Sequence, residues 1–148
     1  LGLVGSEMCI RDRNMIAGFD TPTDGEIRLD DQLLVNASTQ TPPNSDRVVV
    51  FQNGALFPWK TVVENIAYGP IVQKTRSREQ AEQEALELLQ KAGGLERIAG
   101  AFPNQISSGM QRRVEILRAL INQPKVLLLD DPFRAMDTVS KSKMHQHL

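Results

Sequence analysis

Hydrophobic and polar positions change rhythm several times along the chain, and each change marks an element. Val126–Leu129 is an unbroken aliphatic run, followed at once by Asp130, Asp131 and Pro132. A short apolar run bounded by breakers predicts a strand buried on both faces, as in a parallel sheet lying under helices. Residues 47–51, RVVVF, predict a second buried strand that ends at Gln52. Over 26–35, Ile27 and Leu29 alternate with polar neighbours and Asp30-Asp31 breaks the run, which predicts a half-solvated hairpin. Helical spacing takes over at 61–68, where Val62, Ile66 and Val63 face inward and Gly69-Pro70 is the expected stop. The clearest helix is 77–92: Ser77 and Gln80 form a capping box, and Ala81, Ala85, Leu88, Leu89 and Ala92 recur before Gly93-Gly94. Residues 110–122 predict another, with Val114, Leu117, Leu120 and Ile121 on one face, and Arg112, Arg113 and Glu115 outside. Residues 14–18 read as a last helical turn closed by Gly18. Residues 20–25 are dense in turn formers, 36–46 form a polar loop, and a final helix begins at Thr138, capped by Asp137.

With 148 residues the chain is long enough for one domain with a real core. Seventeen basic residues against eighteen acidic ones give a net charge of -1, so no electrostatic case for nucleic acid arises. The longest strictly aliphatic run is four residues, far short of a membrane span. A single cysteine, Cys9, excludes an internal disulfide framework and a cysteine-based zinc site, and the composition is of a cytosolic type. Residues 1–13, LGLVGSEMCIRDR, match nothing downstream and do not make a signal peptide. They read as linker-derived sequence to be set aside from the fold, or as a disordered native N-terminus.

Candidate chemistry gathers at the end of the 126–129 strand. In parallel sheets, ligands bind beyond the carboxyl ends of the strands. Two acids placed there can hold a hydrated magnesium ion and polarise a water, the need of nucleotide hydrolysis, or can form a solvated turn. Ser107 and Ser108 stand where a helix begins; Ser108 and Gln111 also make an S-x-x-Q capping box. Phe57 and Trp59 flank Pro58 in a loop, either buried beneath it or offered as a contact surface.

Four ordered blocks, IAGFDTPTDGEI, VVVFQNGALFPWKTVVENIAYG, PNQISSGMQRRVEILRAL and PKVLLLDDPFRAMD, resemble the ATP-binding subunit of an ABC transporter. They are most similar to importers of the nitrate, sulfonate and taurine group, over essentially all of residues 14–148. The resemblance implies an α/β fold: a P-loop NTPase (RecA-like) core with a parallel sheet, part of an antiparallel β subdomain, and an α-helical signature subdomain at roughly 70–122. It implies ATP and magnesium as cofactors and a second ATP-binding subunit as dimer partner. It also implies membrane permease subunits, an indirect solute-binding protein, and a peripheral place on the cytoplasmic face of the plasma membrane.

Residue by residue, Gln52 falls on the family's Q-loop glutamine, which touches the magnesium and the attacking water, and Asp130 falls on the magnesium-binding aspartate. Asp131 takes the position of the catalytic glutamate. Its side chain is one methylene shorter, and a misplacement of about 1 Å can cost on the order of 100-fold in rate. Ile106, Ser107, Ser108, Gly109 and Met110 fall on the signature motif, which presents a helix N-terminus to the γ-phosphate held by the opposite subunit. Ser108 replaces a glycine there. Asp137 falls on the D-loop, and equally serves as an N-cap. Phe57 and Trp59 lie where the permease's coupling helix docks. No G-x-x-x-x-G-K-[ST] occurs in the chain, and His145 and His147 come too early to be the family's switch histidine. The expectation is a fragment truncated at both ends and itself inactive, from a parent ATPase. The competing expectation is a non-hydrolysing regulatory or structural ABC subunit, for which Ser108 and Asp131 speak. A soluble ABC ATPase of DNA repair or translation fits less well, because the spacing is compact.

Overall fold

A computed structural model describes residues 2–4, 10–51 and 55–129. The parallel sheet has β5 (Val126–Leu129) at its centre, with β1 (Gly2–Val4) on one side and β4 (Arg47–Val50) on the other. Val126 lies opposite Arg47 and Leu129 opposite Val50, so β4 and β5 end together at one edge. Two strands from distant parts of the chain are thus brought into register by their shared need to bury unbroken aliphatic runs. β4 stops at Val50, one residue earlier than the pattern predicts. Phe51 is 47% exposed and stacks on Phe19, with ring centroids 6.4 Å apart.

The stretch set aside from the fold contributes to it: Gly2–Val4 pair with β5, and α1 (Ile10–Ala17) begins four residues before Asn14. Gly18 ends α1 with φ +86°, and a Cβ there would sit 2.5 Å from the Thr41 carbonyl oxygen. Glycine is therefore required both by conformation and by space. The buried Arg47 guanidinium donates to the carbonyls of Ile16 (3.0 Å), Thr41 (3.2 Å) and Pro42 (2.7 Å), which ties the end of α1 to β4. The hairpin is β2 (Glu26–Leu29) and β3 (Gln32–Asn36), antiparallel and separate from the main sheet. Asp30 and Asp31 both adopt positive φ, 49° and 62°, the two-residue turn whose twist matches paired strands.

The helical layer is α2 (Val62–Val72), α3 (Arg78–Lys91) and α4 (Ser108–Leu120). Val62, Ile66 and Ala67 meet Ala81, Ala85 and Leu89 of α3 and Val114, Leu117 and Ile121 of the α4 stretch in one core. Gly69-Pro70 does not stop α2, which continues to Val72 with Pro70 buried. The proline removes one backbone donor near the helix end, and Gln73 and Thr75 close that end by donating to the carbonyls of Gly69 and Pro70. Gly69 is there for room: a Cβ would lie 2.7 Å from Asn122 Oδ1.

α4 departs most from its pattern. It begins at Ser108 with Ser107 as its N-cap, Ser107 Oγ accepting from the Met110 N–H at 3.3 Å. Its second face carries Ile116 and Ala119 against Val50, Leu127 and Leu129, so α4 is the wall between helical layer and sheet. Arg112 and Glu115, expected outside, are 7% and 4% exposed and pair with each other at 2.9 Å.

Candidate functional site

Because β4 and β5 are adjacent, parallel and end in register, the chain leaves both at the same carboxyl edge. Gln52 follows β4 by two residues and Asp130 follows β5 directly in the sequence. Gln52, Asp130, Asp131 and Asp137, with the helix expected from Thr138, lie outside the described residues.

What the structure does describe is how the chain is held on either side of 52–54. Arg112 Nη1 donates to the Phe51 carbonyl and to Glu115 Oε2. Glu115 Oε1 accepts from the Ala55 N–H at 2.9 Å. One turn further along α4, Arg118 Nη1 donates to the Ala55 carbonyl at 2.8 Å, with its guanidinium 5.4 Å from the Phe57 ring centroid. Burial pushes the Arg118 guanidinium below its ordinary pKa, and the Glu115 charge opposes that shift. Sequence reasoning missed Arg112, Glu115 and Arg118. Their i, i+3, i+6 spacing along one helix was the available signal, and it reads equally well as an exposed charged stripe.

The aromatic loop is organised by another residue that the sequence pattern did not single out. Asn65 is fully buried; its Oδ1 accepts from the Phe57 N–H at 2.8 Å. Its Nδ2 donates to the carbonyls of Phe57, Lys60 and Thr61 at 3.0–3.1 Å. One side-chain amide thereby satisfies most of a tight turn, which would otherwise bury unpaired backbone groups. Phe57 is half-buried and meets the Tyr68 ring edge-on at 4.7 Å, whereas Trp59 is 72% exposed. Phe57 and Tyr68, but not Trp59, border a groove of about 410 Å³ between β4, α2 and α4, whose lining includes Val50, Gly69, Glu115 and Arg118.

At the other end of α4, Ser107 and Ser108 are exposed, while Ile106, Gly109 and Met110 are half-buried. The capping contact places Ser108 at the first helical position, with its side chain outward on the leading turn. An exposed helix start is a fit place for an anion.

The family described as "ABC transporter" matches residues 13–134, most of the chain. The chain belongs to that family. Among curated relatives of this ABC chain, the taurine import ATP-binding protein TauB of Rhizobium johnstonii is 43% identical over 135 residues, covering 91% of the chain and 48% of the relative. The nitrate import ATP-binding protein NrtD of Synechocystis sp. is 41% identical, covering 90% of the chain and 47% of the relative. Both are of the import group that the sequence blocks resemble. A solved structure, the ATP-binding cassette MJ0796 in a dimeric post-hydrolysis state bound to ADP and Pi, superposes with TM-score 0.74 at 36% identity, covering 91% of the chain and 60% of that structure. The chain thus spans about half the length of the curated relatives it matches. Among the described residues, no helix is long and apolar enough to cross a membrane.

Proposed function

We propose that the protein carrying this sequence is the ATP-hydrolysing subunit of an ABC importer of the nitrate, sulfonate and taurine type. It works as a dimer beneath permease subunits at the cytoplasmic face of the membrane, with a solute-binding protein delivering the cargo. The observation that carries the reading is the common carboxyl edge of β4 and β5, because the two residues assigned to magnesium, Gln52 and Asp130, follow those strands in the sequence.

An amide oxygen and a carboxylate are hard donors of the kind magnesium takes, and the bound ion would neutralise charge on the phosphates. Asp131 polarises the attacking water. Ser107, Ser108, Gly109 and Met110 meet the γ-phosphate held by the opposite subunit, and Asp137 crosses the interface between them. Phe57, which lines the groove, and the exposed Trp59 receive the permease. The test is magnesium-dependent ATP hydrolysis by the protein that carries this sequence, compared with Asp130→Asn and Gln52→Ala. Each should cost at least about 100-fold in turnover, since positioning and electrostatics are nearly all of the catalysis. Turnover that both variants leave intact overturns the reading.

A second reading is favoured by one observation: Ser108 stands exposed at the first position of α4, where the family carries glycine. In this reading the protein is a non-hydrolysing regulatory or structural ABC subunit, with Asp131 in place of the glutamate, which pairs with a competent partner and contributes a weakened signature face. Ser108→Gly then raises the hydrolysis rate of the dimer; an unchanged rate removes this reading.

A further inference from the structure

Arg112 and Glu115 are buried, oppositely charged and on one helix, which would ordinarily mark them as a costly internal ion pair. Their other hydrogen bonds point away from α4. Arg112 reaches the Phe51 carbonyl, and Glu115 reaches the Ala55 N–H. Those backbone groups are four residues apart in the sequence, on either side of 52–54. The carboxylate uses both oxygens: Oε2 on the guanidinium and Oε1 on the loop. Arg118 then takes the Ala55 carbonyl, so the peptide groups on both sides of Ala55 are held by α4.

We propose that Arg112 and Glu115, with Arg118, are positioning residues: a clamp on α4 that sets where the chain leaves β4 and where it enters the aromatic turn. Its function rests on the reading above, because the clamped span contains Gln52. A structural ion pair would be satisfied within the helix, whereas this one spends an acceptor and a donor on a neighbouring segment. The groove wall and the clamp share Glu115 and Arg118, so a partner seated in the groove presses on the same side chains that hold Ala55.

The test is site-resolved amide hydrogen exchange on the protein that carries this sequence. Glu115→Gln keeps the shape but leaves one acceptor oxygen where two are needed, so the Arg112 and Ala55 contacts compete for it. The Ala55 amide should then exchange about tenfold faster relative to the amide of Leu89 in the helical core, a factor worth about 1.4 kcal/mol. Equal acceleration of Ala55 and Leu89 means the pair only stabilises the fold and overturns the proposal, as does an unchanged Ala55. If Glu115→Gln fails to fold, Arg118→Ala carries the test, since Arg118 is only half-buried. It removes the hold on the Ala55 carbonyl and should accelerate Ala55 alone; no selective change overturns the clamp. Exchange needs no nucleotide, so this result is independent of whether the protein hydrolyses ATP. In the hydrolysing protein, Glu115→Gln should lower kcat about tenfold with KM for ATP within about twofold; a raised KM at unchanged kcat counts against positioning.

Discussion

α3 and α4 are helices of similar length that both carry charges of either sign, yet they are held in opposite ways. α3 has one buried stripe, Ala81, Ala85 and Leu89, and its charges stay in water or in partly exposed pairs such as Arg78–Glu82 at 3.6 Å. α4 is buried on two faces, by Val114 and Leu117 toward the helical core and by Ile116 and Ala119 toward the sheet. Between those faces lie Arg112 and Glu115, whose charges have no water to turn to and instead take backbone groups of a neighbouring segment. A charge on a one-sided helix is solubility; a charge on a two-sided helix must be a joint.

The sharpest way to break the comparison is to remove one charge from each helix. Arg112→Ala leaves the buried Glu115 uncompensated and should cost about 3–5 kcal/mol in denaturant unfolding. Arg78→Ala on α3 should stay within about 0.5 kcal/mol. Equal losses would mean that the α4 pair is not buried in solution.

Leu89→Ala and Ile116→Ala should each cost about 2–5 kcal/mol, so magnitude alone does not separate them. Place does. Ile116→Ala should speed amide exchange in β5, which its side chain covers, whereas Leu89→Ala should leave β5 protected relative to the helices.

The two helices do agree at their starts. Ser77 Oγ accepts from the Gln80 N–H at 3.2 Å, and Ser107 Oγ from the Met110 N–H at 3.3 Å. Ser77→Ala and Ser107→Ala should each cost about 1 kcal/mol by thermal unfolding, whereas Ser108→Ala costs less because Ser108 is not the cap.

The smallest effect belongs to α2. Glu64 accepts from the Thr61 N–H at 2.9 Å and from Thr61 Oγ1 at 3.0 Å, which holds its carboxylate below the ordinary value of 4.5. A depressed folded-state pKa means that the cap's contribution is fully present above 4.5 and is lost as pH falls through the folded value. The stability gap between wild type and Glu64→Gln should therefore close on acidification below that range. A gap that widens toward low pH contradicts the cap.

Much of the fold was legible residue by residue. Local rules suffice for the α3 stripe and its Ser77–Gln80 box, the Asp30-Asp31 turn and the aliphatic runs of β4 and β5, because each is settled within a few residues. The candidate site rests on a set of residue types, acids after one strand and an amide after another, that lie outside the described residues. How the span around Gln52 is supported was not legible, since Arg112, Glu115 and Arg118 at helical spacing look the same whether they face water or a loop sixty residues away. Asn65 was missed for the same reason: nothing near it in sequence shows that a turn will close over its amide.

Sequence alone therefore determined most of the element types, the Ser77 cap of α3 and the family, all of which follow from short-range spacing and motif order. Packing decided that Gly69-Pro70 would ride inside α2, because Pro70 is buried and both ends of α2 are closed by backbone hydrogen bonds. It also decided that α4 would be buried on two faces rather than one. Burial on a second side is a property of what arrives from elsewhere in the chain, and it turned two apparently solvated charges into the groups that hold Phe51 and Ala55.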